Sequence, residues 1–554
     1  MIQRALASSV RQAIERAQST GALPRFVVPP FDLERPNLKE HGDWSTGVAM
    51  VCARVAGRPP REIAAAIVGA LGTPAHVQEV TIAGPGFLNF TLSHSWLTGI
   101  VRAAEEAGQR WGASQTDEPE KIQVEFVSAN PTGPMHLGHA RWAAVGDTLA
   151  YVLESIGHTV EREFYINDYG RQIERFGASI AARYLNEFGI EAEVPEEGYR
   201  GDYVTEIARE LKNEIGDRLV QAPEEERVRA MGEYGRQRMF AQQQETLGRF
   251  RVDFDIWFSE TAMHDEGAVL RVVDMLADLG HVYDQDGAKW LRTTDFGDDK
   301  DRVLVRSDGH PHYRASDLAY FLDKLRRGYQ RIIYLWGADH HGHVKTMQAG
   351  IRALGEDPEH CEFLLGQFVH LARGGEVVSM SKRQGEGVTF EQLLDEIGVD
   401  AARYHLLRTG MDQTLTIDLD EVVAQSQENP VYYVQYAHAR ICSILRKAAE
   451  TGIAIAPLDA VAFEELQHES ELDLLRKIAE LPEAVDVAAR LRAPHRLTRY
   501  AEELAALFHA FYRDCRVVSE DAALTQARLH LCRAAQISLR NSLALLGVTA
   551  PESM

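Results

Sequence analysis

Cysteine is scarce and scattered: Cys52, Cys361, Cys442, Cys515 and Cys532 form no C-x-x-C pair anywhere in 554 residues. That excludes a disulfide framework and a cysteine-based zinc site, and it suits reduced thiols in a cytoplasm. Long apolar runs are missing too. No window of about 18 apolar residues occurs, so no membrane span is expected. The opening "MIQRALASSVRQAIERAQ" has helical periodicity and carries Glu15, without the uninterrupted apolar core of a secretion signal. It reads as part of the fold. Positive charge is in deficit, 59 Lys+Arg against 82 Asp+Glu, for a net −23. Such a chain repels phosphates at long range, which excludes an indiscriminate nucleic-acid binder. There is no internal repeat and no low-complexity segment.

The deficit is uneven. Residues 426–554 hold 14 Lys+Arg against 17 Asp+Glu, whereas residues 1–425 carry −20. Within the near-neutral segment Arg490, Arg492, Arg496 and Arg499 cluster around His495. They form either a solvated helix face or one that tracks phosphates.

What is present is a globular composition, 45% apolar and 25% charged, over a length that calls for several domains. Residues 1–112 read as an α+β unit: an opening helix, the helical "DWSTGVAMVCARVAG", then strand-like "VQEVTIA" and "FLNFTLS" around a Gly-Pro-Gly turn. The polar "GASQTDEPEK" reads as a linker. Strand-like "IQVEFVS", helical "HARWAAVGDTLAYVLESIGH" and strand-like "TVEREFYIND" open a βαβ unit. Residues 180–290 look like a helical insertion, after which "DRVLVRSDG", "RIIYLWGADHHG" and "EFLLGQFVHLA" continue the parallel-sheet pattern. From about residue 385 the periodicity is helical almost to the end. The predicted fold class is therefore α/β: a Rossmann-like parallel-sheet domain (119–395) between an N-terminal α+β domain (1–112) and a C-terminal helical bundle (396–554).

"SANPTGPMHLGHARWAAVGD" sets His136 and His139 where a strand stops and a helix begins. A helix start after a parallel strand offers free N–H groups and a positive dipole end, and Gly133 and Gly138 let a ligand approach the backbone. The two rings are neighbours on that helix and suit the phosphates of a nucleotide. Two other readings stand beside this one. The pair can share a zinc, although H-E-x-x-H and a local third ligand are absent, or it can be an ordinary helix entrance. About 240 residues downstream, "GGEVVSMSKRQGEG" places Met380, Ser381 and Lys382 in a glycine-flanked loop. A lysine there suits a departing pyrophosphate.

H-x-G-H opening a helix after the first strand, with M-S-K late in the same domain, resembles the two signatures of class I aminoacyl-tRNA synthetases. The flanking motifs narrow the resemblance to the arginyl-tRNA synthetases. "HGDWSTGVAM", "GPGFLNF", "VEFVSANPTGPMHLGH", "FYINDYG", "TTDFGDDKDRVLVRSDG", "ENPVYYVQYAHAR" and "LLGVTAPESM" follow that family's order nearly end to end. One departure stands out. The family's second signature begins with Lys, and Ser379 occupies that position, leaving Lys382 to serve the pyrophosphate. The compensating Lys that some members carry before the first signature is absent from "PTGP", consistent with a retained Lys382.

The resemblance implies an ATP-dependent ligase that forms arginyl-adenylate and passes the arginyl group to the 3′ end of tRNA(Arg). It implies that His136, His139 and Lys382 are catalytic, and that Pro134, Gly138, Gly337, Asp339, His340, Met380 and Ser381 join them around ATP. Mg2+ would accompany the nucleotide, with no dedicated protein metal site. It maps Glu125, Asn130, His136, Asp168, Tyr313 and Asp317 onto arginine, and Phe87, Asn89, Tyr436, Arg440 and Met554 onto tRNA. A monomer is implied. The residues add a physical argument. A planar guanidinium pairs best with carboxylates, and Glu125, a charge inside a strand expected to be buried, needs a cationic partner. A bound guanidinium would be one. Asp317 can instead be a helix N-cap, Asp168 a turn residue, and the tyrosines of "VYYVQYAHAR" a core; His340, His341 and His343 also admit a zinc reading. Two rivals follow from other classes, a zinc hydrolase and a non-catalytic tRNA-binding relative.

Overall fold

The computed structural model describes residues 2–36, 38–72, 74–377 and 388–554. The opening amphipathic run is α1 (Ile2–Ser19), which buries Leu6, Val10, Ala13, Ile14 and Ala17 along one face. "DWSTGVAM" is split rather than wholly helical. Its first half is β1 (Trp44–Thr46), whose Trp and Thr suit a pleated surface, and the helix α2 (Val48–Ala56) starts after it. After α3 (Pro60–Leu71), β2 (Val77–Ala83) and β3 (Phe87–Leu92) form the hairpin around Gly84–Gly86, and the antiparallel order is β1-β3-β2. α4 (His94–Ala107) follows, capped by the Ser93 side chain. The polar linker is pinned: the Ser114 and Thr116 N–H groups donate to Ser155 and Ile156 carbonyls.

The central sheet starts with β4 (Lys121–Glu125), α5 (Leu137–Ser155) and β5 (Thr159–Ile166). Three helices follow, α6 (Arg171–Asn186), α7 (Asp202–Ile215) and α8 (Glu224–Arg249), with an apolar core of their own. The helical insertion is shorter than predicted, because β6 (Ile256–Ser259) returns to pair with β5. Next come α9 (Glu260–Asp265), α10 (Ala268–Asp278), and β7 (Val282–Gln285), β8 (Ala288–Leu291) and β9 (Arg302–Val305). β9 corrects the reading of "DRVLVRSDG": it runs antiparallel to β8 in a small separate sheet. A short apolar run does not reveal which sheet receives it. α11 (Tyr313–Arg326), β10 (Arg331–Gly337), α12 (His341–Ala353) and β11 (Cys361–Gly366) complete the central sheet. Its order is β11-β10-β4-β5-β6, all parallel. "EFLLGQFVHLA" also divides: β12 (Val369–Arg373) leaves for a third sheet with β13 (Glu376–Val377) and a later strand.

Helices then dominate, as predicted, apart from that strand. They are α13 (Phe390–Ile397), α14 (Val399–Leu407), then β14 (Leu415–Asp418), α15 (Leu419–Val423), α16 (Pro430–Glu450), α17 (Glu469–Ala479), α18 (Leu481–Arg490), α19 (His495–Asp514) and α20 (Ala522–Leu545). β10 shows how the sheet is covered: Ile333 and Leu335 enter one apolar core, Ile332 and Tyr334 the core on the opposite face. α5 is buried almost all round, and Gly146 permits its close approach, since a Cβ there would lie 2.2 Å from the Phe126 ring.

Buried arginines bolt α5 to its neighbours. Arg403 of α14 donates to Asp147 Oδ2 (2.5 Å), the Leu546 carbonyl (2.9 Å) and the Phe250 carbonyl (3.0 Å). Arg141 donates to the carbonyls of Gln367, Gly410 and Gln413 at 2.8–3.0 Å. Of the arginines around His495, Arg492 is held in a largely buried pair, while Arg490 and Arg499 make exposed contacts compatible with either reading of that face. Arg492 is bidentate on Glu362 (2.8 and 2.8 Å), Arg499 pairs with Glu503 (2.8 Å) and Arg490 lies 3.8 Å from Asp486.

Candidate active site

The chain runs β4, β5, β6 to one side of the sheet and β10, β11 to the other, so the switch point lies between β4 and β10. Ligands of open α/β sheets bind in the crevice outside the carboxyl ends of such strands. Two cavities open there, of about 740 and 760 Å3, and Trp336, Asp339 and His340 line both.

The second cavity holds the histidines. Beyond β4 the backbone turns through Val127 and Ser128 at φ 68° and 45°. A left-handed β-branched residue costs about 1–3 kcal/mol, and the turn directs the chain out of the sheet toward α5. His136 is the N-cap of α5: its Nδ1 accepts the Gly138 N–H at 3.1 Å, while the His136 N–H donates to His139 Nδ1 at 3.1 Å. The rings stack with centroids 3.8 Å apart. Because each Nδ1 accepts a backbone proton, each ring carries its own proton on Nε2. Burial pushes the His136 pKa down, and burial with the neighbouring His136 ring pushes His139 to about 3. In this hydrogen-bond arrangement each ring offers an N–H at Nε2 rather than a lone pair, which suits an anion better than a metal ion. Both side chains cap the helix entrance and also line the cavity. Gly138, Gly337 and the 366–371 segment line it too, and Gly366 matters by its size: a Cβ would fall 1.4 Å from the Trp142 ring. Pro134 lies in the approach to α5, outside the cavity lining. Met380, Ser381 and Lys382, with Ser379, lie outside the described residues.

The first cavity is acidic. Glu125, Glu260, Asp298, Asp299, Asp317 and Asp339 line it against Arg302, Arg314 and Lys345. Tyr313 and Asp317 sit one turn apart on α11, and Asp317 Oδ2 lies 2.9 Å from His343 Nε2. Asp317 is not the N-cap, which is His312. For Glu125 the structure supplies what the sequence argument lacked. Its cationic partner is internal: Lys324 Nζ donates to Oε2 at 2.5 Å, and Ser128 Oγ donates to Oε1 at 3.1 Å. A guanidinium is therefore not needed to compensate Glu125, although the residue still faces the cavity.

Two further assignments change in character. Asp168 accepts from Ser259 Oγ (2.9 and 3.1 Å), the Thr261 N–H (2.9 Å) and Arg236 (3.3 Å), and it lines neither cavity. It ties the end of β5 to α8 and α9, leaving its neighbour Asn167 on the cavity wall. Asn130 is exposed at the edge of the crevice, outside both linings, and its carbonyl accepts from Gln243 at 2.9 Å. Lys324, Glu260 and Trp336 are the site residues that sequence reasoning missed. For Lys324 a signal existed: it follows Asp317 by seven residues, on the same helix face.

Far from the crevice, exposed Phe87 and buried Asn89 line a third cavity of about 770 Å3 in the N-terminal unit, where Asn89 Oδ1 accepts from Ser45 Oγ at 2.7 Å. On α16, Tyr436 and Arg440 are joined at 2.6 Å, and the Arg440 guanidinium also lies over Tyr512 at 5.1 Å. These side chains form a surface edge, not a closed core. Met554 is exposed.

Three family profiles tile the chain. "Arginyl tRNA synthetase N terminal domain" matches residues 4–92, "tRNA synthetases class I (R), catalytic domain" residues 104–443, and "DALR anticodon binding domain" residues 434–554. The chain belongs to the arginyl-tRNA synthetase family. The arginine–tRNA ligase of Heliobacterium modesticaldum is 46% identical over 560 residues, covering 100% of this chain and 99% of the relative. That of Geobacillus kaustophilus is 47% identical over 555 residues with the same coverage. The solved arginyl-tRNA synthetase of Thermus thermophilus, 23% identical, shares the fold with a TM-score of 0.77 over 100% of both chains. The reaction of this family member is ATP-dependent attachment of L-arginine to tRNA. No described helix is long and apolar enough to cross a membrane.

Proposed function

We propose that the joined cavities divide the reaction between them. The acidic cavity holds arginine, with Asp317, Glu125 and Tyr313 around its side chain and Asn130 outside the lining, at the edge of the crevice. The histidine cavity holds ATP, with Gly337, Asp339 and His340 at the junction and Pro134 on the approach. The observation that carries this is the shared wall: Trp336, Asp339 and His340 border both spaces. A carboxylate entering from one side meets a phosphoryl group entering from the other. Attack by the arginine carboxylate on the α-phosphorus forms arginyl-adenylate and expels pyrophosphate. His136 and His139 donate neutral N–H groups to the oxygens where charge grows, and Lys382 follows the pyrophosphate. Asp168 acts by positioning rather than contact.

Magnesium enters with ATP and neutralises phosphate charge; among the described residues no group of three or more His, Cys, Asp or Glu side chains is arranged to hold an ion. We assign the segments 1–112 and 396–554 to tRNA(Arg). Phe87 and Asn89 meet it on one side, Tyr436 and Arg440 on the other by stacking and charge, with Met554 near the latter. The working form is a monomer in the cytoplasm, in keeping with five buried free thiols. Aminoacylation of tRNA with each of the twenty amino acids tests the reading. Charging with arginine alone is expected; zinc-dependent hydrolysis without any charging overturns it.

A further inference from the structure

α11 lays one face down the whole depth of the arginine cavity. Tyr313, Asp317, Tyr320 and Lys324 follow at intervals of four, three and four, the spacing of a single helix face. Exposure falls along that stripe from 50% at Tyr313 to 4% at Tyr320 and 0% at Lys324. The stripe therefore ends in an ammonium beneath the cavity floor. Lys324 Nζ lies 4.0 and 3.9 Å from the ring centroids of Tyr320 and Tyr334, and 2.5 Å from Glu125 Oε2. Both rings and Glu125 line the cavity. A lysine stripped of water is retained only when paired and enclosed in this way.

This arrangement has a consequence for any cation that enters. Asp317 attracts it part-way down. Glu125, lower on the wall, is already shared with Lys324, so its attraction for a second cation is largely cancelled at the floor. A group reaching past Asp317 approaches a fixed positive charge in a poorly hydrated space, where like charges repel strongly. We infer that Lys324 is a specificity-determining residue, which orients Glu125 and sets the length of cationic side chain that the cavity accepts. The inference rests on the reading that arginine's guanidinium lies between Asp317 and Glu125.

The probe is L-homoarginine, one methylene longer than arginine, with L-lysine, whose cation stops short, as control. One methylene in a fitted pocket is worth about 10–200-fold in kcat/KM, so the unaltered enzyme is expected to disfavour homoarginine by at least about tenfold. Lys324→Met keeps the length of the side chain and removes its charge. It is expected to relax the arginine-to-homoarginine ratio about tenfold while the arginine-to-lysine ratio moves less than about threefold. Equal relaxation of both ratios means a loosened pocket and overturns the inference, as does no relaxation of either. Where Lys324→Met fails to fold, because Glu125 is left buried without a counter-charge, Glu125→Gln/Lys324→Met removes both charges, and the homoarginine ratio must still relax. Failure of the underlying pocket reading looks different: Asp317→Asn would then activate arginine normally, whatever the homoarginine ratios show.

Discussion

The two cavities share a wall and hold opposite chemistry. The acidic side is built from full charges, several of them already partnered: Glu125 with Lys324, Asp317 with His343, Asp298 with Arg302. The histidine side carries, among its described lining residues, Asp339 as its one carboxylate and no lysine or arginine; His136, His139, His340, His370, Trp142, Trp336, glycines and apolar side chains make up most of the rest. The contrast follows from what each side must do. On the proposed division, selecting arginine is a ground-state problem, met by carboxylates fixed where a guanidinium would lie. Moving a phosphoryl group calls for donors that strengthen as charge grows, a task open both to neutral N–H groups and to a lysine that follows the leaving group. Neutral Nε2–H groups at a helix start are suited to that task.

The sharpest way to break the contrast is to remove a donor from the neutral side. His136→Ala or His139→Ala is expected to cut ATP–pyrophosphate exchange by roughly two to three decades, the scale for one transition-state donor. The arginine-to-citrulline ratio should stay put, because no cavity charge has changed. Rapid-quench rates with both amino acids check this. Activity that fell with metal content and returned with added zinc would restore the metal reading of these rings.

The complementary change removes a charge from the acidic side. Asp317→Asn is nearly isosteric and is expected to lower arginine activation about 10–100-fold, the range for a hydrogen bond to a charged group. ATP binding should be unaffected. Citrulline, isosteric with arginine but neutral, should lose far less, so the gap between the two narrows. Steady-state kinetics with both substrates decide it, and a gap that stays wide makes Asp317 a surface carboxylate.

The same contrast explains what the sequence could reveal. The histidine side is local: a strand, a loop and a helix start in consecutive residues, so periodicity and dipole arguments find it. The acidic side is assembled from β4, α9, α11 and α12, and no pattern within one segment says which carboxylate already has a partner. Glu125 shows the limit well. Burial inside a strand correctly demanded a cation, but that cation, Lys324, lies 199 positions away. Asp168 reads as a ligand at a strand end until Ser259, Thr261 and Arg236 are folded around it. Strand count fails similarly, since β9 and β12 look like central strands until pairing assigns them elsewhere.

The smallest expected effect is a titration that does not appear in the rate. Burial, together with the neighbouring ring for His139, depresses both histidines, His139 to about 3 from an ordinary 6.5. His139 stays a neutral donor as pH falls from 8 to about 6, so the single-turnover rate of adenylate formation should show no limb from that ring across the window. Stability behaves differently. Below about pH 6.5 the unfolded chain takes up protons on these rings more readily than the folded chain, so the unfolded state binds more protons and stability declines as pH drops. His312 and His405, each pushed to about 4 chiefly by burial, add to the same trend. Melting temperature should therefore fall below pH 6.5, and fall less steeply in His139→Ala, which removes one of the protonatable groups and leaves His312 and His405 in place. A rate that dropped with an apparent pKa near 6.5 would mean that these rings are solvated and charged in the working enzyme, and the division between a neutral and a charged cavity would not hold.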